Sequence, residues 1–406
     1  MKHLLTLSVF YEQKLIDIFN IILEKHHHSP NSLGLLGGKT GLSMALLLYA
    51  VHSKDSKCRK EGIKILETAF ETIEQSDSYV FSFCNGLAGF GWALEYLEQK
   101  GYHECDTNVL LEDFDSVLSD VLALEMKNGN YDFLHGALGM VYYFISRIQK
   151  NGALLPVLQK FIVQLHALSE KHSTGSIKWD SIINREKDGR KYNISLSHGM
   201  SSIAVILSKL YAIKGMDKEM IKSLLQGCVN YILEQEIDKD KYGSFFPIFA
   251  IESMEQLHGS RLAWCYGDLG IAMALWQAGI ALQNETWKNK ALEVLLFAAE
   301  KRRDLEASMI IEAPLCHGTV GVGHIFYRMW RNTRLPEFKN AADYWMNETL
   351  KMAKFEDGLA GYKAWYGDQG WLNDYSLLEG IAGVGLALMT YYYEVEPTWD
   401  ECLLLS

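Results

Sequence analysis

The stretch Gly380-Ile381-Ala382-Gly383-Val384-Gly385-Leu386-Ala387-Leu388-Met389 decides the fold. Two glycines three apart open a run without a single charge. A helix that is apolar on all sides is a buried helix. The same opening recurs along the chain, as Gly38-Lys39-Thr40-Gly41, Gly86-Leu87-Ala88-Gly89 and Gly136-Ala137-Leu138-Gly139. It returns as Gly267-Asp268-Leu269-Gly270 and Gly318-Thr319-Val320-Gly321, and a degenerate copy stands at Gly199-Met200-Ser201-Ser202. One such motif is weak, but seven in order, 48 to 68 residues apart, mark a repeat architecture.

Between the motifs lie charged stretches with helical spacing, such as 61–74, 216–236 and 284–303. They read as outer helices with one wet face. Neither helix of a unit can bury its own apolar face, so neighbouring units must stack, and closing the ring removes the open ends. The fold class predicted is all-α, an α/α toroid of seven inner and seven outer helices. It is expected as one domain over residues 1–406, with surface insertions at 179–191 and 238–245.

Composition narrows the function. Hydrophobic residues make up 49% of the chain, enough for a large core and too many for a disordered chain. The net charge of -11 lacks the basic footprint that nucleic-acid binding requires. Seven cysteines, an odd number scattered through a long chain, fit reduced thiols and a cytoplasmic location. The apolar run Leu4-Leu5-Thr6-Leu7-Ser8-Val9-Phe10 is short and precedes no small-residue cleavage site. It reads as the start of an amphipathic helix, and no apolar stretch is long enough to span a bilayer.

Repeats make positions comparable. Just before the first glycine stand Gly37, Asn85, His135, His198, Tyr266, His317 and Glu379. One residue earlier stand Leu36, Cys84, Leu134, Ser197, Cys265, Cys316 and Leu378. Equivalent positions lie at one end of a toroid, so polar and thiol groups converge on its mouth. Copies five and six are neighbours, which places Cys265, Cys316 and His317 together. Two thiolates and an imidazole suit zinc with a fourth position left open. Buried structural cysteine is the competing reading. Cys84 shares the phase and is a rival ligand, but it belongs to a distant copy and reads as lining. His198 and His135 are either structural histidines or an acid or base. His26-His27-His28 reads as a solvated run.

Ser197-His198-Gly199-Met200, Trp264-Cys265-Tyr266-Gly267 and Cys316-His317-Gly318 resemble the signature of the lanthionine synthetase C family. With the seven glycine motifs the resemblance extends over nearly the whole chain. It implies a double seven-helix toroid and a zinc ion held by Cys265, Cys316 and His317. It implies His198 as general acid or base, Arg261 as the active-site arginine, Tyr266 beside the metal and Asp132 as an assisting carboxylate. Three positions depart from the family pattern: Ser202 replaces a glycine, His135 a small residue, and Asp268-Leu269 a pair in which proline is common.

The implied reaction joins a cysteine thiol of a peptide to a dehydrated serine or threonine. Alternatives within the fold are addition or binding of glutathione, and a non-catalytic peptide-binding toroid with structural zinc. A prenyltransferase subunit, another zinc-using toroid, lacks the Cys-His-Gly and Trp-Cys-Tyr-Gly pair. The expected partners are a dehydrated precursor peptide, a separate dehydratase and an exporter. For glutathione's two carboxylates the motifs place only Arg261 and Lys39 near the mouth, while loops elsewhere could supply Arg185 or Lys191.

Overall fold

The structure is a computed structural model that describes residues 2–28, 32–75, 79–182 and 191–406. Arg185 and most of the expected 179–191 insertion lie outside the described residues. Each glycine motif opens a helix: Lys39–Ser53, Leu87–Gln99, Ala137–Arg147, Met200–Ala212, Asp268–Ala281, Thr319–Thr333 and Ile381–Tyr392. These inner helices are buried nearly all round, as Met200 through Ser208 illustrate. Among the described residues seven further helices alternate with them: Lys2–Lys25, Ser56–Glu74, Glu112–Lys127, Leu155–Ala167, Lys218–Leu233, Glu285–Lys301 and Pro336–Lys351. Each outer helix buries one stripe. In Lys218–Leu233 it is Ile221, Leu224, Leu225, Cys228, Val229 and Ile232, spaced for one helical face.

The two sets start differently. Three outer helices use side-chain caps, Asp55, Asp217 and Asn284. Inner helices begin at a glycine with no side chain to cap them, and the backbone does the capping. The first N–H of six inner helices donates to the carbonyl seven residues earlier: Lys39 to Ser32, Leu87 to Val80, Ala137 to Asn130, Met200 to Asn193, Thr319 to Glu312 and Ile381 to Asp374. The turn before each inner helix is thus a closed backbone loop with its orphan donor satisfied.

Packing divides the chain into two units, residues 1–80, 84–105 and 310–398 in the first and 81–83, 106–309 and 399–406 in the second. In the first unit the pre-helix turns are linked in sequence order. Cys316 N–H donates to Leu378 O at 3.2 Å, Leu378 N–H to Leu36 O at 2.9 Å, and Leu36 N–H to Cys84 O at 3.0 Å. In the second unit Leu196 and Ser197 both donate to Cys265 O, at 3.1 and 3.3 Å. In the first unit copy six thus donates to copy seven, copy seven to copy one and copy one to copy two, and in the second unit copy four donates to copy five.

The second glycine of the motif lets these layers close. A Cβ on Gly321 would stand 1.9 Å from Leu315 O, and one on Gly383 would stand 2.0 Å from Leu377 O and 2.6 Å from a Leu315 methyl. Copy four manages with Ser202, whose hydroxyl donates to Gly199 O at 2.7 Å.

Copy five departs from the pattern. Gly267 has φ +82°, open mainly to glycine, and a Cβ there would meet Ser260 Oγ at 2.2 Å. Asp268 follows, fully buried. Its carboxylate accepts from the N–H groups of Phe245 at 3.2 Å and Phe246 at 2.9 Å, and faces Arg302 Nη1 at 3.4 Å. Arg302 also donates to Ser260 O. This buried pair pins the loop that carries Arg261, Cys265 and Tyr266. Burial raises the Asp268 carboxyl to about 6, against the opposing pull of Arg302 and the two N–H groups.

The chain's C-terminal segment packs on the inner helices of the second unit. Trp264 Nε1 donates to Leu403 O at 2.7 Å, Gln277 to Leu404 O at 2.7 Å and Tyr142 OH to Glu401 O at 2.9 Å. The N-terminal run is helical, as expected. The histidine run is only partly solvated, because His26 Nε2 pairs with Glu61 at 3.0 Å while His27 and His28 are exposed.

Gly321→Ala should lower stability by about 1–3 kcal/mol through overpacking. Gly152→Ala, at a glycine whose added Cβ meets nothing within 4 Å, should change it little. Urea unfolding of both variants checks this. Arg302→Ala strands the Asp268 carboxylate and should cost about 3–5 kcal/mol. Losing Arg302 pushes the carboxyl above about 6, further from its unfolded value. A carboxyl raised on folding supports stability at low pH and loses that support as pH rises through its folded pKa. The deficit should therefore be larger at about pH 8 than at about pH 5, where Asp268 takes up a proton. Equal deficits at the two pH values would contradict it.

Candidate functional site

Cys265 and Cys316 each end a pre-helix turn two residues before an N-terminal glycine, and both are buried and outside any disulfide. His317 follows Cys316 directly. Cys265, Cys316 and His317 form one group whose ligand atoms all lie within 4.8 Å of one another, the one such group among the described residues. Two sulfurs and an imidazole nitrogen at that spacing fit a tetrahedral zinc site with a position to spare. Cys84 is buried and lies outside the group. The other buried thiols are of a different kind. Burial raises Cys58 to about 12, and Cys228 is buried completely, with its thiol donating to Met200 O.

The structure brings Asp132 and His198 together. His198 Nδ1 stands 2.6 Å from Asp132 Oδ2, and the other carboxylate oxygen accepts the His135 N–H at 2.7 Å. Asp132 is buried, so the pair has little competition from water. The His198 N–H donates to Ser195 Oγ at 3.1 Å, which fixes the backbone beneath the ring. With Nδ1 held by the carboxylate, Nε2 is the ring nitrogen left outside that contact. The His135 ring lies 5.9 Å from that of His198, and the Tyr266 ring lies 6.1 Å from it on another side. Tyr266 is braced edge-on by Phe249 at 5.7 Å. Arg261 is half-buried, and among the described residues its guanidinium has no ion-pair partner.

Around His317 stand two carboxylates that motif reading alone misses. Its Nε2 lies 2.7 Å from Glu312 Oε1, and its Nδ1 lies 3.9 Å from Glu379 Oε1. Glu312 is buried, and its second oxygen accepts the Trp365 N–H at 2.8 Å. A signal for Glu312 does exist. Six residues before the first glycine stand Ser32, Val80, Asn130, Asn193, Arg261, Glu312 and Asp374, a second polar phase. In six copies this is the residue whose carbonyl caps the inner helix, so its side chain is fixed at the mouth end of that helix.

Residues 29–404 match the family of lanthionine synthetase C-like proteins. The chain is 27% identical over 398 residues to nisin biosynthesis protein NisC of Lactococcus lactis subsp. lactis, spanning 92% of this chain and 89% of that protein. It is also similar to the solved structure of nisin cyclase, with a TM-score of 0.76, 21% identity and 96% of each chain covered. At that identity the likeness speaks for the fold, the all-α α/α toroid that the repeat predicts. A match over almost the full length places this chain in the lanthionine synthetase C-like family.

Proposed function

We propose that the chain, as one domain over 1–406, is a zinc-dependent lanthionine cyclase acting on a dehydrated precursor peptide. The observation that carries this reading is the grouping of Cys265, Cys316 and His317, in a chain similar to a nisin cyclase. Zinc held by these three would lower the pKa of an incoming peptide thiol and keep it a nucleophile near neutral pH. The sulfur adds to the β-carbon of dehydroalanine or dehydrobutyrine, and the carbon–carbon double bond becomes a single bond. The α-carbon then needs one proton. His198 supplies it from Nε2, with Asp132 holding Nδ1 and supporting the positive ring beforehand. Arg261, with no ion-pair partner among the described residues, offsets the negative charge that gathers on the enolate oxygen. Tyr266 walls the site next to Cys265.

Addition needs an alkene, so a dehydratase acting on serine and threonine must supply the substrate. An exporter for the product completes the expected set of partners. Among the described residues no helix is long and apolar enough to cross a membrane. The proposed location is the cytoplasm, where thiols stay reduced.

The test is incubation of the protein with a dehydrated peptide that keeps its cysteines, with and without glutathione. Cyclisation conserves mass, so thiol alkylation is the readout. Loss of alkylatable thiol without a mass adduct is expected. Retained thiols with a glutathione adduct would transfer the reading to glutathione addition. Cys265→Ala and Cys316→Ala should each lose zinc by metal analysis, and full occupancy in both would remove the ligand assignment. His198→Ala should keep its zinc and lose about 10²–10⁴-fold in rate. Zinc lost in step with rate would make His198 a ligand or a structural residue.

A further inference from the structure

Glu312 combines three contacts that no other residue of its phase makes. Its carbonyl caps the inner helix by accepting the Thr319 N–H at 3.0 Å. One carboxylate oxygen accepts the Trp365 N–H at 2.8 Å, and the other lies 2.7 Å from His317 Nε2. The side chain is nearly sealed from water, at 1% exposure, and a buried carboxylate must find donors. Trp365 provides one. Among the described residues the second oxygen makes no hydrogen bond, and the donor nearest to it is His317 Nε2 at 2.7 Å, so a small turn of a neutral imidazole carrying its proton on Nε2 satisfies it. Nδ1 then carries the bare lone pair, and only Nδ1 can bind a metal. The nearest carboxylate on that side, Glu379, stays 3.9 Å away, beyond hydrogen-bond reach.

We infer that Glu312 is a positioning residue that fixes the tautomer and orientation of His317 as an Nδ1 ligand, and that it is itself held in place by the short hairpin at Trp365. The hairpin pairs Ala364 and Trp365 with Leu372 and Trp371, and the Trp365 and Trp371 rings lie 5.3 Å apart. It thereby ties an exposed aromatic turn to the metal ligand through a single carboxylate. Carboxylates that orient a metal-binding histidine typically contribute about 10–100-fold in metal affinity. The inference rests on the zinc reading above.

Two measurements test it. Chelator competition gives the zinc affinity of the wild type and of Glu312→Gln. The glutamine can still accept from Trp365, yet its amide nitrogen facing His317 favours the opposite tautomer. A loss of about 10–100-fold is expected, with the urea midpoint of the metal-free protein nearly unchanged. Equal zinc affinity in the two proteins would overturn the inference while leaving the zinc reading intact. A wild type that takes up no zinc would overturn both. Should Glu312→Gln fail to fold, nitrogen–proton correlation spectra of the zinc-loaded wild type with isotope-labelled histidine decide. A proton on His317 Nε2 is expected, and a proton on Nδ1 would refute the assignment.

Discussion

Everything at the mouth depends on a backbone that approaches another backbone with nothing in between. Where Gly321 and Gly383 start their helices, the carbonyl of the preceding turn sits in the volume a methyl group would fill. That contact lets the turn fold back, lets its carbonyl cap the helix it precedes, and places the two residues before the first glycine at the helix mouth. In six of the seven copies the backbone alone satisfies the helix terminus, which leaves those two positions free to carry side chains such as His198, Cys316 and His317. Three of the outer helices are capped by Asp or Asn side chains instead.

The site itself is a set of paired demands. Two thiols and an imidazole leave a metal one open position, and each flanking histidine needs a carboxylate on the nitrogen it does not use. Asp132 stands 2.6 Å from His198 Nδ1 in hydrogen-bond geometry, and Glu312 stands 2.7 Å from His317 Nε2 with that oxygen otherwise unpartnered among the described residues. Asp268 and Arg302 act one layer further out, anchoring the loop whose tip is Cys265 and Tyr266.

Much of this was legible in the sequence, for a specific reason. A repeat turns distance in space into phase along the chain, so Cys265, Cys316 and His317 could be grouped by counting from a glycine. The same count finds Glu312 and Arg261 in one phase, a reading that needs the capping bond between residues seven apart to give it meaning. Pairings without a shared phase were out of reach. Asp268 meets Arg302 across an outer helix, and the chain's last turn meets Trp264, Gln277 and Tyr142. His26 looked solvated because its partner Glu61 lies on a separate helix. Such contacts follow from tertiary packing, and no local pattern announces them.

The bond from Leu378 N–H to Leu36 O has a consequence in time. It joins residues more than three hundred positions apart, so the first unit is stitched from the two ends of the chain. During synthesis its early helices leave the ribosome with their packing partners not yet made, while most of the second unit is one continuous segment that can assemble as it emerges. Contacts of such long separation slow folding, because loop closure must precede any gain from them. The early helices must wait with apolar stripes uncovered, and in that interval aggregation and chaperone capture compete with closure.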